Sequence, residues 1–177
     1  MRIIAGRFKG RRLRPPAKNP ARPITDFAKE GLFNVLTNYF DFDRIRFLDL
    51  FAGTGNVSFE MASRGCEDIT LVEMYKPNTN FITRTAEVLQ IELQIIHGDV
   101  FQFIPNCFEK FHLIFAGPPY ALEKLPKLPS LIFEHELLHK PGWLILEHSS
   151  AHNFEGHPHF RQSRKYGEAV FSIFTND

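Results

Sequence analysis

Five short apolar runs, Phe47 to Phe51, Ile69 to Glu73, Leu93 to His97, Leu113 to Phe115 and Trp143 to Glu147, follow one another along the chain. Runs this apolar leave no face for water, which is the pattern of strands covered on both sides. The stretches at 55–65, 77–90 and 121–139 are long enough for the crossover helices that parallel strands require. The pattern predicts an α/β fold built on a doubly wound, mostly parallel sheet. The rhythm breaks at the end, where Phe160 to Tyr166 and Ala169 to Phe174 flank Gly167-Glu168. That spacing predicts a C-terminal hairpin adding an antiparallel strand. With 177 residues, 44% of them hydrophobic, the chain can build one sizeable core but hardly two.

Ahead of the first run, Thr25 and Asp26 offer helix-capping oxygens. Apolar positions from Phe27 through Leu32, Phe33, Val35 and Leu36 to Tyr39 predict a helix despite Gly31. Residues 1–25 hold eight Lys or Arg (Arg2, Arg7, Lys9, Arg11, Arg12, Arg14, Lys18 and Arg22) and no acid. The remainder carries 13 basic against 20 acidic residues, so a net charge of +1 conceals a basic arm on a body of −7. Such an arm is the usual electrostatic footprint of a polyanion partner, because each cation near a phosphate releases condensed counterions; the alternative is a solvated tail. Ile3, Ile4 and Leu13 around Gly6 and Gly10, followed by Pro15-Pro16 and Pro20, predict a short basic N-terminal hairpin arm over 1–25, ahead of a body over 26–177. No run approaches a membrane span, and arginine follows Met1 at once, so a cytoplasmic protein is expected. Cys66 and Cys107 form no framework or Cys-x-x-Cys spacing and are read as reduced.

The sharpest local signal is Phe47-Leu48-Asp49-Leu50-Phe51-Ala52-Gly53-Thr54-Gly55, a strand running into a glycine turn before a helix. Glycines beyond the carboxyl end of a parallel strand let backbone approach a ligand closely. Ser58 stands where the dinucleotide fingerprint has its third glycine, which favours a cofactor without a pyrophosphate. Glu73 ends the next strand, where it can accept from both hydroxyls of a ribose or be an ordinary exposed acid. Asp99, after Gly98, can cap a helix or accept from an adenine amine.

With these strand-end residues the chain resembles the class I S-adenosylmethionine-dependent methyltransferases. A closer likeness runs through Arg2-Ile3-Ile4-Ala5-Gly6, Gly10-Arg11, Arg22-Pro23-Ile24-Thr25-Asp26, Leu32-Phe33-Asn34, Ser63-Arg64-Gly65, Pro118-Pro119-Tyr120 and Tyr166-Gly167. In that order they resemble the RsmD family of bacterial small-subunit ribosomal RNA guanine-N2 methyltransferases, over almost the whole chain. The resemblance implies a Rossmann-like methyltransferase sheet and S-adenosylmethionine as cofactor. It places Thr25, Asp49, Phe51, Ala52, Gly53, Thr54, Gly55, Glu73, Met74, Asp99 and Val100 around that cofactor. It implies ribosomal RNA as partner, in an assembling small subunit, held by Arg7, Arg11, Arg12, Arg22 and Tyr120. Gly117, Pro118, Pro119 and Tyr120 become the catalytic turn, with Tyr120 stacked on an extruded guanine.

At Gly117 the chain departs from the family, which carries aspartate before Pro-Pro-Tyr. Glycine has no side-chain acceptor for the amine protons, and losing such a group costs on the order of 10²–10³ in rate by analogy with oxyanion holes. Three readings stay open: a backbone carbonyl at Pro118 suffices for a slow enzyme, the chain binds cofactor or RNA without catalysis, or the change is strain-specific or engineered. Glu147, ending the fifth strand, is a further acid that no sequence feature brings to the amine. A DNA amine methyltransferase and a nucleotide-dependent oxidoreductase are the remaining alternatives, the latter disfavoured by Ser58 and Pro118-Pro119-Tyr120. His135 and His139 share a helical spacing, and His148, His152, His157 and His159 crowd one stretch, but no Cys or carboxylate completes a zinc set. No metal is expected, residues 148–159 are expected to form a mobile loop, and nothing implies an oligomer.

Overall fold

The computed structural model describes residues 1–20 and 22–177. Helix α1 spans Asp26–Leu36 and starts where Thr25 Oγ1 accepts from the Ala28 amide at 3.1 Å. It ends before Tyr39, three residues short of the apolar pattern. Gly31 within it leaves room for a ring: a Cβ there would lie 2.2 Å from Cε1 of Tyr166. Then follow β1 (Arg46–Leu50), α2 (Asn56–Ser63), β2 (Asp68–Glu73), α3 (Lys76–Leu89), β3 (Gln94–His97), α4 (Val100–Asn106) and β4 (Phe111–Ala116). The chain closes with α5 (Leu128–Glu134), β5 (Leu138–His148), β6 (Phe160–Tyr166) and β7 (Ala169–Asn176).

The seven strands form one sheet in the order β3-β2-β1-β4-β5-β7-β6. β1 to β5 run parallel, and β7 pairs antiparallel with both β5 and β6. The expected antiparallel strand is thus β7, lying inside the sheet while β6 takes the edge. Strand alternation sends Phe47, Phe115, Ile145 and Phe171 to one face, against Leu32, Phe33 and Leu36 of α1 and Val57 and Met61 of α2. Leu48, Ile114, Leu144 and Phe174 go to the other, against α4 and α5. Order reverses between β1 and β4, where open sheets of this kind bind ligands beyond the strand ends.

Three local expectations need correction. The segment 121–139 holds only a single 3-10 turn (Leu125–Lys127) and the seven-residue α5. Pro126 and Pro129 each restart the helix at its first turn, and β5 begins by Leu138. His135 and His139 therefore share no helix. His139 instead lies on β5 with its ring 4.3 Å from that of His112. Nor is 148–159 a loose loop. His148 is buried with Nε2 2.7 Å from Ser172 Oγ, Phe154 joins the core, and His159 stacks at 3.8 Å on Phe133.

The basic arm is a small hairpin with one bridge, Arg2 to Arg12, closed by Ile3 N to Arg11 O and Gly10 N to Ile3 O at 2.9 and 2.8 Å. Its underside is sunk into the body. Ile3 is fully buried with Phe59, Leu71 and Ile82. The Glu60 carboxylate of α2 accepts from the backbone amides of Ile4 and Ala5 at 2.9 and 3.1 Å, from Arg64 Nε at 2.8 Å, and faces Lys29 Nζ at 3.2 Å. Lys29, wholly buried on α1, also donates to Asn56 Oδ1 at 2.7 Å and to the Arg2 carbonyl. All eight cations of the arm stay exposed.

Candidate active site

A cleft of about 260 Å³ opens at the carboxyl ends of β1, β2, β4 and β5. Its floor is the turn after β1. Phe51 holds a left-handed φ of 61°, a conformation unusual outside glycine, and Gly55 turns the chain into α2 with φ of 81°. A Cβ at Gly55 would meet Phe59 and Ile82 at 3.0 and 3.1 Å. Asp49, one residue before the end of β1, is buried and accepts from Ser58 Oγ at 2.6 Å. Ser58, which on sequence only marked a missing glycine, therefore orients the loop's acid.

Burial pushes the Asp49 carboxyl up to about 7, with Glu73 adding repulsion and Ser58 opposing. Glu73, ending β2, is held by the Met74 amide at 3.0 Å and by Asn78 Nδ2 at 3.0 Å. Asn78 is fully buried, and among the described residues its Oδ1 has no partner. Met74 beside it is 66% exposed. These acceptors are disposed around the end of β2 for a ligand that brings hydroxyl or amine donors.

The opposite wall is Gly117, Pro118, Pro119 and Tyr120. The Gly117 amide donates to the Leu50 carbonyl at 3.1 Å, which extends the β1–β4 pairing into the turn. Tyr120 donates a long 3.4 Å hydrogen bond to Glu147 Oε2, and the Arg22 guanidinium lies 4.7 Å from its ring centroid. Arg22 also binds Glu168 of the β6–β7 turn at 2.9 Å. Burial, then the Glu147 charge, hold the Tyr120 phenol up at about 12, so it remains a donor.

Arg22, Asp49, Phe51, Ala52, Gly53, Thr54, Glu73, Met74, Gly117, Pro118, Pro119 and Tyr120 thus share one cleft. Thr25, Gly55, Asp99 and Val100 stand back from its lining. Thr25 caps α1, Gly55 caps α2, Asp99 caps α4 through the Phe101 amide at 2.9 Å, and Val100 is buried at the head of that helix. Arg7, Arg11 and Arg12 lie on the exposed arm. The arm touches the loop where Thr54 Oγ1 donates to Met1 Sδ at 3.2 Å and where Ala52 packs in one cluster with Met1 and Ile3. Asn56, Asn78 and Glu147 line the cleft without having been singled out as binding residues from sequence. A wider depression of about 630 Å³ at the opposite end of the sheet is rimmed by Asp43, Arg44, Glu67 and Glu92 and by the Arg46–Asp68 ion pair at 2.9 Å.

Three carboxylates, Asp49, Glu73 and Glu147, face one guanidinium, Arg22, across a mainly apolar cleft. A pyrophosphate would meet net negative charge, whereas a ligand carrying cationic groups, hydroxyls and an aromatic ring matches the lining. Among the described residues no three His, Cys, Asp or Glu converge to hold a metal ion, and no helix is long and apolar enough to cross a membrane.

A family model described as conserved hypothetical protein 95 matches residues 1–175. YlbH of Bacillus subtilis is 35% identical over 153 residues, 84% of this chain and 82% of that one. Ribosomal RNA small subunit methyltransferase D of Haemophilus influenzae is 32% identical over 150 residues, covering 82% and 76%. The solved structure of the Thermus thermophilus hypothetical protein TTHA0928 superposes with a TM-score of 0.86 at 29% identity, covering 98% of both chains.

Proposed function

The chain belongs to the conserved hypothetical protein 95 family, that of ribosomal RNA small subunit methyltransferase D, and from this membership we propose that it methylates the exocyclic N2 amine of a guanine in small-subunit ribosomal RNA. The observation that carries the reading is the meeting, in one cleft, of the β1 glycine loop, the Glu73 strand end and the Pro118-Pro119-Tyr120 turn, with Arg22 of the basic arm at its mouth. S-adenosylmethionine supplies a methyl group on a sulfonium, the electrophile the reaction needs. Asp49 and Glu73 hold its cationic and hydroxyl-bearing parts, the backbone at Phe51, Ala52, Gly53 and Thr54 admits it closely, and Met74 covers its base. Asp99 and Val100 at the head of α4, and Thr25 and Gly55 at their helix ends, fix these walls from behind.

Residues 1–25 dock the RNA, with Arg7, Arg11 and Arg12 on phosphates, and residues 26–177 form the methyltransferase body. The prolines at 118 and 119 fix a rigid rim, which orients the amine and excludes water, and Tyr120 offers a ring for the extruded guanine. Arg22 already covers one face of that ring, so the base takes the other face or displaces the guanidinium. The protein acts in the cytoplasm on an assembling subunit.

The test is transfer of labelled methyl from S-adenosylmethionine to small subunits lacking guanine-N2 methylation, followed by nucleoside analysis. N2-methylguanosine at one position is expected. Label in another nucleoside, in DNA only, or nowhere would overturn the reading.

A further inference from the structure

The family's acidic position is Gly117 here, and a site that methylates an amine still needs an acceptor for the charge that develops on nitrogen. Glu147 is the penultimate residue of β5, next to β4, and lines the same cleft as Gly117, Pro118 and Tyr120. It is 8% exposed, and among the described residues its hydrogen-bond partner is Tyr120, through the long 3.4 Å contact. A buried carboxylate with so little satisfied is costly unless it has another task. Among the described residues no cation pairs with it directly. The nearest, Arg22, is stacked on Tyr120 and ion-paired to Glu168.

We propose that Glu147 is a catalytic residue that accepts the target amine's proton, the task that an acidic side chain at position 117 would otherwise perform. The inference rests on the methyltransferase reading above. The amine lone pair forms the new N–C bond as the S–C bond of the sulfonium breaks, with that bond's electron pair remaining on sulfur. Nitrogen thereby gains a positive charge, and one of its protons passes to the Glu147 carboxylate and then to solvent. Tyr120, still a phenol, steadies Oε2 and leaves Oε1 for the amine.

The groups facing Glu147 are Tyr120 from the β4 turn, Arg22 from the arm with its partner Glu168, and Asp49 and Glu73 across the cleft. Burial raises the Glu147 carboxyl to about 7, against the opposing influence of Tyr120 and Arg22. An acceptor titrating there is matched to proton transfer near neutral pH.

Glu147→Gln keeps the shape and the contact with Tyr120 but accepts neither proton nor charge. Its kcat should fall about 10²-fold or more, with KM for the subunit and calorimetric Kd for S-adenosylmethionine within about twofold of wild type. The rise of wild-type kcat through about pH 7 should be lost in the variant. Gly117→Asp should restore at least tenfold to Glu147→Gln, once the Phe115 ring, 3.0 Å from a Cβ at 117, gives way. Independently of turnover, the ¹³C resonance of the Glu147 carboxyl should titrate near pH 7 in the wild-type protein. An undiminished kcat in Glu147→Gln, a carboxyl titrating in the ordinary range, or no rescue by Gly117→Asp overturns the assignment to Glu147 and leaves the methyltransferase reading standing. Absence of guanine methylation by the wild type overturns both.

Discussion

Asp49 and Glu147 each bind a proton more tightly in the folded cleft than in an unfolded chain, since burial lifts both to about 7. A raised carboxyl favours folding below its unfolded value, and that contribution is lost as pH rises toward 7 and beyond. Urea unfolding should therefore show greater stability at pH 5.5 than at pH 8, by about 2 kcal/mol from each group, since about 1.5 units of the window lie below the folded value at about 1.4 kcal/mol per unit. Asp49→Asn should remove its share of the difference. Glu60 runs the other way: burial would raise it, but the Ile4 amide, Arg64 and Lys29 together lower it, so its support is lost only in stronger acid. A second consequence concerns ligands. A cation entering beside Asp49 pulls its carboxyl down, so calorimetry of S-adenosylmethionine near pH 6.5 in buffers of different ionisation enthalpy should report proton release, on the order of half a proton. A site that bound the donor with no proton change would contradict the charge pattern of the cleft. At this scale the sequence announced Asp49, the glycines, Glu73 and Pro118-Pro119-Tyr120, because each sits inside a local motif. Asn78 was silent, and Ser58 and Glu147 were noticed without their partners, because those partners lie on other elements and only the fold brings them together.

Among the elements, strands were the more legible, since burial on both faces writes itself as an unbroken apolar run. β1 was read to within one position at each end, whereas β6, an edge strand with no buried residue, was read to the residue from the Gly167-Glu168 turn beside it. Helices facing the sheet with one stripe were less so. α4 has only seven residues with Pro105 in its last turn, and α5 is cut short by prolines, so neither presents a full amphipathic period. The join between arm and body is the clearest element-scale device that no pattern revealed. Lys29 and Glu60 bring opposite charges to full burial, and between them they take hydrogen bonds to or from the backbone of Arg2, Ile4 and Ala5. Removing one member of such a pair strands the other. Lys29→Met should cost about 3–5 kcal/mol in urea denaturation. It should also speed tryptic cleavage after Arg7 and Arg11 relative to sites in the body. An unchanged cleavage ratio would mean that the arm is seated by Ile3 alone.

Over the whole molecule, charge is divided by region: eight exposed cations on the arm, a net of −7 on the rest, and three carboxylates in the cleft. RNA affinity should therefore be steeply salt-dependent. With about five phosphate contacts, the slope of log Kobs against log salt should be near −4, and Arg11→Ala with Arg12→Ala should flatten it by about 1.5 in anisotropy titrations. Affinity for S-adenosylmethionine should scarcely respond to the same two substitutions. The seat of the arm has a consequence for recognition. Helix α2 holds the arm's backbone through Glu60 at its middle and begins at the glycine turn of the cleft, so on the proposed reading the grip on phosphate and the place of reaction belong to one rigid rod. On the proposed reading the protein works as a caliper. The span between its jaws is fixed, and it selects a nucleotide by its distance along a folded RNA from the phosphates it clasps.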